Sequence, residues 1–504
     1  MSVRTKFHNI AVSTLGTLSN VVHPRPATVY ANAAQQDATQ RNPLIIIPGI
    51  MGTKLRDKQT GLTLWGGCSR KEYADPNSPE QMRAISIPMG DDCPIDRIDD
   101  AMEPAGAIDR FRGSMIGLPL HVRAYESLLE ALGVGGFLAA ERPGLRRRKK
   151  LPDYGLHSVS TCFQFDYDWR ATIPQNAKRF AEFVERVADF ASRDHGEHAR
   201  CAKEDIKVDV VAHSMGGLLL RWFLRYGGRN LQDARALDAP TWDGCKRVEH
   251  AILVATPNAG AIGSLQRLLA GLNASPATPG YAPQVIGTMP SLYHLLPRSR
   301  HGLVIDRTTG DPIEDLFDVK TWERMGWGLV DPRGNAVRAA LLPDLSTDSD
   351  RLRTARAHLD ACLRAAHEFQ QLLDAPFDAP LDTSMHLFAG DGMLTPASIS
   401  VAPNDPNVRV ESHAQGDGTV LRASALLDER LGSAAASPRV VTPIRWDAVT
   451  FIPTNHMGVT RHPTFINNVL YTLLEKPRPT CEYRTRLRST PPNTATPAAA
   501  ASSG

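Results

Sequence analysis

The sequence has little of several features that would place it in a special class of protein. Its 504 residues carry a formal net charge of only +3, which gives no electrostatic argument for a nucleic-acid partner. The hydrophobic fraction of 42% and the charged fraction of 22% are typical of an ordinary globular chain. No run of about 18 consecutive apolar residues occurs, so the sequence predicts no membrane-spanning helix.

Paired cysteines are also lacking. The seven cysteines contain no Cys-x-x-Cys pair, so the sequence predicts neither a disulfide framework nor a zinc site. They are Cys68, Cys93, Cys162, Cys201, Cys245, Cys362 and Cys481. With no cluster of metal-ligating residues in view, we expect no metal and no other cofactor.

The N-terminal segment has no convincing secretory signal. Its early positive charge is followed by a stretch in which polar residues such as Asn9, Ser13 and Thr17 interrupt any apolar run. We therefore expect a cytoplasmic location, with export by another route as the alternative.

The stretch around which the chain is organised is KVDVVAHSMGG, residues 207–217. A run of β-branched residues is followed by small residues on either side of Ser214 and then by the helix-like LLLRWFLRYGG. This pattern predicts a strand, a sharp turn and a helix, with Ser214 exposed at the turn as the nucleophile of an α/β-hydrolase. Ala212 stands where glycine is usual. The alternative is an ordinary strand-to-helix turn with a surface serine.

A second strand-and-turn pattern lies earlier, at PLIIIPGIMGTKL, residues 43–55. The run Leu44 to Ile47 predicts a buried strand, because it is branched and does not alternate with polar residues. In an α/β-hydrolase the loop after such a strand donates one backbone N–H to the oxyanion hole. We expect Ile50 to be this donor, with Met51 second, and Met215 to be the other. The alternative is a simple strand-ending turn.

Two residues near this loop are candidates for contact with substrate. Met51 follows the expected oxyanion donor directly. Trp65 lies in a loop-rich stretch, residues 56–115, and is either a wall of the substrate site or an anchor of the core. The sequence alone does not separate these two roles.

The remaining pattern alternates helices and strands, which predicts an α/β fold with a mostly parallel sheet. Helical spacing covers residues 122–134, 176–192 and 354–373, and a last helix is expected at 463–476. Further strands are expected at 251–254, 385–390 and 448–452. We predict a weakly ordered leader at 1–40, a hydrolase core at 41–260 and 384–476, an inserted helical cap at 261–383, and a disordered tail at 477–504.

A basic run, Arg146 to Lys150, is conspicuous in an otherwise mixed sequence. Its simpler interpretation is a solvated loop. The alternative is peripheral contact with the anionic head groups of a membrane surface, which attract clustered basic residues.

Several of these motifs, taken in order, resemble the lecithin:cholesterol acyltransferase family, which also includes lysosomal phospholipase A2-type and phospholipid:diacylglycerol acyltransferase enzymes. The resemblance spans residues 43 to about 475. It rests on PLIIIPGIMGTKL, FDYDWR at 165–170, AHSMGG, PSLYHLLP at 290–297, GDGTV at 416–420 and the late His456. The resemblance implies an α/β-hydrolase fold with a cap, a Ser-Asp-His triad, and acyl-ester lipids as substrates.

The expected base is His456, because it follows the last predicted strand and the chain order of the fold is serine, acid, histidine. His462 is the alternative, although its place at the start of a helix favours a capping or surface role. His213, beside the nucleophile, is expected to be structural. For the acid, position after a strand favours Asp391, whereas the family resemblance favours Asp417 in Gly-Asp-Gly-Thr-Val.

The sequence thus predicts a serine-dependent lipid acyl hydrolase or O-acyltransferase whose partner is a lipid acyl ester. Catalysis is assigned to Ser214, Asp417 and His456. The alternatives are a neutral-glyceride lipase or a soluble-ester esterase on the same fold, and a hydrolase-fold binding protein without activity.

Overall fold

The computed structural model describes residues 42–66, 77–90, 92–96, 102–107, 112–115, 118–121, 162–194, 202–272, 280–430 and 439–474. The predictions for the leader, the helix at 122–134, the basic run at 146–150 and the tail lie outside these residues. Among the described helices, none combines the length and the apolar character needed to cross a membrane.

The strands are named β1 to β14 in chain order. They are β1 Leu44–Ile47, β2 Thr53–Asp57, β3 Thr63–Trp65, β4 Met102–Ala107, β5 Arg112–Met115, β6 Leu118–His121, β7 Cys162–Gln164, β8 Val208–His213, β9 Val248–Val254, β10 Leu303–Asp306, β11 Ser384–Gly390, β12 Met393–Ala402, β13 Asp405–Gly416 and β14 Ala448–Ile452.

The α-helices are named α1 to α12 in the same way. They are α1 Pro79–Ile85, α2 Ile173–Asp194, α3 Met215–Tyr226, α4 Leu231–Arg235, α5 Ile262–Ala270, α6 Pro283–Ile286, α7 Pro290–His294, α8 Val319–Met325, α9 Asn335–Leu341, α10 Asp348–Asp374, α11 Arg422–Leu426 and α12 Pro463–Leu474. Short 3₁₀ turns occupy Lys203–Asp205, Asp243–Lys246, Gly328–Val330, Pro332–Gly334 and Val459–Arg461.

The central sheet has six strands in the order β14-β11-β9-β8-β1-β7. Every pairing between these neighbours is parallel. The carboxyl ends of the strands therefore meet at one edge, which is where open α/β sheets bind their ligands. The predicted α/β class with a mostly parallel sheet is confirmed.

Both faces of this sheet are covered, which explains why its strands do not alternate between apolar and polar residues. In β1, Ile45 and Ile47 face the core cluster that includes α2 and α3. Leu44 and Ile46 face the opposite cluster, which contains Phe465 of α12. The predicted helices at 176–192 and 354–373 are confirmed as α2 and α10, and the one at 463–476 is confirmed as α12 over its described residues, Pro463–Leu474.

The segment between β9 and β11 contains the helices α5 to α10. One of its strands, β10, pairs in parallel with β12, and β12 pairs with β13 in a second sheet. This sheet crosses the boundary that the sequence predicts at residue 384, and the predicted division into core and cap stays a prediction. The helix α10 also packs on the core, where Phe369 stacks against Trp222 of α3 at a centroid distance of 5.4 Å.

A buried histidine, His294 of α7, makes the stability of this fold sensitive to acid. Its ring stacks on Phe369 at 4.4 Å, and its Nδ1 accepts the N–H of Ile173 at 3.4 Å. Burial, aided by the nearby charge of Arg298, lowers the pKa of His294 from 6.5 to about 3. Between these two pH values the unfolded chain binds a proton that the folded chain does not, so acid favours unfolding.

We expect the free energy of unfolding to fall as the pH drops below about 6.5, by roughly 1.4 kcal/mol per pH unit for this histidine. Urea unfolding at pH 7.5 and pH 5.0 measures the loss. His294→Gln, which keeps an acceptor, should lose less stability over this interval than the wild type. His413→Gln is the control, because His413 is exposed. An equal loss in the wild type and His294→Gln would contradict the prediction.

Candidate active site

The predicted nucleophile turn forms at the carboxyl end of β8. Ser214 links β8 to α3 with φ 54° and ψ −125°, a conformation that L-residues rarely adopt. Such strain costs about 1–3 kcal/mol and is typical of functional turns. The Ser214 N–H donates to the carbonyl of Val254 on β9 at 2.8 Å, which ties the turn to the sheet.

Small residues around Ser214 allow close approach of strand, loop and helix. A Cβ on Gly216 would lie 2.6 Å from the carbonyl oxygen of Pro48, and one on Gly49 would lie 2.9 Å from Cβ of Ser214. Ala212 is fully buried between β1 and β9, opposite Ile47 and Leu253. Its single methyl group is therefore accommodated where glycine is usual.

Three predicted residues from distant parts of the chain meet at this turn. Nε2 of His456 lies 3.1 Å from Oγ of Ser214, and Nδ1 of His456 lies 2.7 Å from Oδ2 of Asp417. All three are buried. Because the Asp417 carboxylate accepts from Nδ1–H, Nε2 is the nitrogen that accepts from the serine hydroxyl.

Asp417 is held by the backbone of its own loop. Its Oδ1 accepts the N–H groups of Thr419 at 2.9 Å and Val420 at 2.7 Å. The carbonyl of Asp417 in turn accepts the N–H of His456 at 2.9 Å. Side chain and backbone together therefore orient the imidazole towards Ser214.

The alternative acid and base lie elsewhere. Asp391 forms an ion pair with Arg422 at 3.4 Å, and its N–H donates to the carbonyl of Ile452. His462 precedes α12, and its Nδ1 accepts the N–H of Thr464 at 3.2 Å, as a helix cap does. In the structure, neither Asp391 nor His462 hydrogen-bonds to Ser214, Asp417 or His456.

His213 is buried next to the triad, with its ring centroid 5.1 Å from that of His456. Burial, together with the neighbouring His456, lowers the pKa of His213 from 6.5 to about 3. His213 is therefore neutral at neutral pH. It places no fixed positive charge beside the imidazole of His456.

The loop after β1 presents the expected oxyanion donors. Residues Gly49 to Gly52 form a turn closed by the Gly52 N–H and the carbonyl of Gly49 at 3.0 Å, with Met51 at φ 60°. Among the described residues, the N–H groups of Ile50 and Met215 have no hydrogen-bond acceptor. Met215 is the first residue of α3, where a helix leaves its N–H groups unpaired.

Three aromatic side chains brace this loop. Trp65 donates from Nε1 to the carbonyl of Met51 at 2.9 Å, Tyr167 donates to that of Pro48 at 2.9 Å, and Trp169 donates to that of Thr53 at 3.1 Å. Trp65 is 6% exposed and packs edge-on against Trp169. The structure therefore places Trp65 in the core behind the loop, the second of the two roles left open by the sequence.

A small cavity of about 40 Å³ lies beside Ser214. Most of its lining is apolar and comes from the oxyanion loop, from α5 and α7, and from the loop after Asp417. The lining residues are Ile50, Met51, Ser214, Pro257, Ala261, Gly263, Ser264, Arg267, Leu292, Leu295, Thr419 and Val420. Met51 is thus in the cavity wall, whereas Trp65 is not among the lining residues.

Sequence reasoning missed several of these lining residues. Leu292 and Leu295 lie in PSLYHLLP, and Thr419 and Val420 lie in GDGTV, so the family motifs contained a signal for them. Arg267 had no such signal, since an arginine in an amphipathic helix is most often a surface residue. Within the described ranges, no group of three or more His, Cys, Asp or Glu side chains is arranged to hold a metal ion.

The chain is similar to one protein-family model and to chains in solved structures. The family model described as lecithin:cholesterol acyltransferase matches residues 148–311, which include the Ser214 turn. No match was found among curated proteins. A chain in a solved structure described as the crystal structure of the Tle4-Tli4 complex is 16% identical, with 86% of this chain and 98% of that chain covered and a TM-score of 0.54. The structure of EstA from Clostridium botulinum is 14% identical, with 87% and 88% covered and a TM-score of 0.34.

The similarity to the first solved structure shows a shared fold alone, because the identity is low. The family match confirms the resemblance that the sequence motifs indicate. It supports an acyl-ester hydrolase or acyltransferase. The chain has the α/β-hydrolase fold and, over residues 148–311, is similar to the lecithin:cholesterol acyltransferase family.

Proposed function

We propose that this protein is a serine-dependent lipid acyl hydrolase or O-acyltransferase that works through an acyl-enzyme. The observation that carries the proposal is the hydrogen-bonded chain from Ser214 through His456 to Asp417 at the wall of an apolar cavity. A serine hydroxyl is a weak nucleophile at neutral pH, and an adjacent base oriented by a third group is the arrangement that activates it.

The proposed reaction begins when Nε2 of His456 takes the proton of Ser214 as Oγ attacks the ester carbonyl. The Asp417 carboxylate stabilises the imidazolium without taking the proton itself. The N–H groups of Ile50 and Met215 receive the negative charge of the tetrahedral oxygen, and one such donor is typically worth about 3 kcal/mol of barrier. The imidazolium then protonates the leaving alcohol, and the acyl group remains on Oγ.

The second half of the reaction repeats these steps with a new nucleophile. His456 removes a proton from water or from an alcohol, and the attack on the acyl-enzyme releases an acid or a new ester. The triad serves both outcomes equally. The choice between them depends on how well water is excluded from the cavity and on whether an acceptor alcohol binds there.

The apolar lining of the cavity, rather than its volume of about 40 Å³, supports a lipid ester over a small polar one. Ile50, Leu292, Leu295 and Val420 give it an apolar wall, and each buried methylene of an acyl chain contributes about 0.8 kcal/mol. A neutral-glyceride lipase and a soluble-ester esterase remain the alternatives, because the arrangement of Ser214, His456 and Asp417 would serve either of them. Membrane contact through Arg146 to Lys150, and a cytoplasmic location, stay predictions of the sequence.

Turnover of a small set of esters tests the proposal. The purified protein is given dihexanoylphosphatidylcholine, tributyrin and 4-nitrophenyl acetate, each with and without a long-chain alcohol, and the products are identified by mass spectrometry. We expect release of hexanoate or formation of the alkyl hexanoate, with the short acetate the poorest substrate. A preference for tributyrin would favour the neutral lipase, and absence of turnover on all three esters would contradict an acyl-ester enzyme.

A further inference from the structure

The acid loop, residues 417–420, is held from outside by a threonine of a neighbouring strand. Thr395 lies on β12 and is buried. Its Oγ1 accepts the N–H of Gly418, the residue after Asp417, at 2.9 Å. The same hydroxyl donates to the carbonyl of Met393 at 3.2 Å. A hydroxyl has one proton, so donation to Met393 orients Oγ1 as the acceptor for Gly418.

Gly418 is the residue at which the acid loop turns. Its φ of 88° lies in the region that favours glycine. After this turn, the next two N–H groups of the chain both donate to Oδ1 of Asp417. A Cβ on Gly416, which precedes the acid, would lie 2.5 Å from Oγ1 of Thr395. Thr395 therefore lies against the backbone on both sides of Asp417.

We propose that Thr395 is a positioning residue, whose hydroxyl holds Gly418 and thereby keeps the Asp417 carboxylate at hydrogen-bond distance from His456. Oδ2 of Asp417 lies 2.7 Å from Nδ1 of His456, while Oδ1 is bound by its own loop. A misplacement of about 1 Å at a catalytic group can lower a rate about 100-fold. The inference rests on the proposed function, because it concerns the acid of the same triad.

The competing interpretation is that Thr395 only stabilises the fold. Thr395→Val separates the two roles, because valine keeps the branched shape and removes the hydroxyl. The N–H of Gly418 then loses its acceptor, and a buried N–H without an acceptor is unfavourable, so the loop shifts. If Thr395 positions the acid, kcat falls while KM changes little, because most of the cavity wall lies outside the acid loop. If Thr395 serves folding alone, a folded variant keeps its kcat.

The experiment measures kcat and KM on the ester that the wild-type protein hydrolyses fastest. We expect Thr395→Val to lower kcat by about 10- to 100-fold with KM within about twofold of the wild type. Thr395→Ser retains the hydroxyl and should keep kcat within about threefold of the wild type. In the Asp417→Asn background, Thr395→Val should add little further loss, because a residue that acts through the Asp417 carboxylate then has nothing left to position.

Thr383→Val is the matched control. Thr383 is also buried, and its hydroxyl donates to the carbonyls of Cys245 and Val248 at the amino end of the central sheet, the edge opposite the triad. This variant should lower the unfolding temperature and leave kcat within about threefold of the wild type. Thermal unfolding of both valine variants shows whether a loss of kcat comes from a loss of structure.

NMR of protein carrying isotope-labelled histidine decides the inference independently of turnover. A strong hydrogen bond to a carboxylate shifts the Nδ1–H proton of His456 downfield, and Asp417→Asn identifies this signal by removing it. We expect the signal in the wild type and in Thr395→Ser, and its loss or upfield shift in Thr395→Val. An unchanged signal in folded Thr395→Val overturns the inference, and so does an equal further loss of kcat in the Asp417→Asn background. A wild type that shows the signal but no turnover would count against the proposed function alone.

Discussion

Ser214→Ala is expected to abolish labelling by a fluorophosphonate probe and to lower ester turnover by a factor on the order of 10⁴ to 10⁶. The probe reacts only with a serine whose hydroxyl is activated by a base. In the structure, Oγ of Ser214 lies 3.1 Å from Nε2 of His456. Alanine removes the attacking atom and leaves the other two members of the triad in place.

The control for this experiment is Ser264→Ala. Ser264 lines the same cavity, but its hydroxyl donates to the carbonyl of Leu292 instead of to a histidine. Its alanine variant should therefore be labelled like the wild type. A folded wild-type protein that is not labelled, or a Ser214→Ala protein labelled to the same extent, would contradict the assignment of the nucleophile.

Asp417→Asn is expected to lower kcat by about 10³- to 10⁴-fold while the protein stays folded. The amide oxygen of asparagine can still accept the N–H groups of Thr419 and Val420, which keeps the loop in place. Its NH₂ group then faces Nδ1 of His456 and, as a donor, favours the tautomer that carries its proton on Nε2. In that tautomer the imidazole cannot accept the proton of Ser214.

Asp391→Asn serves as the comparison, because Asp391 also follows β11 and is the acid that position alone favours. Its carboxylate pairs with Arg422, so we expect a change in kcat of no more than about threefold, the scale of a surface ion pair. Thermal unfolding of both variants controls for loss of structure. A larger loss of kcat in Asp391→Asn than in Asp417→Asn would move the acid to Asp391.

Two residues of the FDYDWR motif hydrogen-bond to the loop that carries Ile50 and hold it in place. Tyr167 and Trp169 donate to the carbonyls of Pro48 and Thr53, at the two ends of the loop that carries Ile50. Trp65 donates to a carbonyl between them. Hydrogen bonds at fixed points of a loop restrict its motion, and a preorganised donor stabilises a developing charge better than a mobile one.

Much of the fold and part of the site follow from local sequence. Branched, small and apolar residues that are neighbours in the chain form the strand β1, the turn at Ser214 and the helix α3. These elements can therefore be predicted without knowledge of tertiary contacts. The order of nucleophile and histidine is likewise a property of the chain. For these reasons, Ser214 and His456 can be proposed as nucleophile and base from the sequence.

The residues alone left Asp391 and Asp417 open as the acid, and only the family resemblance favoured Asp417; the hydrogen bonds of the acid and of the loop braces come from the tertiary structure. The hairpin of β12 and β13 separates Asp391 from Asp417 in the chain, yet it returns Asp417 to the turn at His456. Trp65 is a core residue because it packs against Trp169, and Arg267 is in the cavity wall because of how α5 packs. These features depend on contacts between segments far apart in sequence, and such contacts leave no periodic signal in the chain.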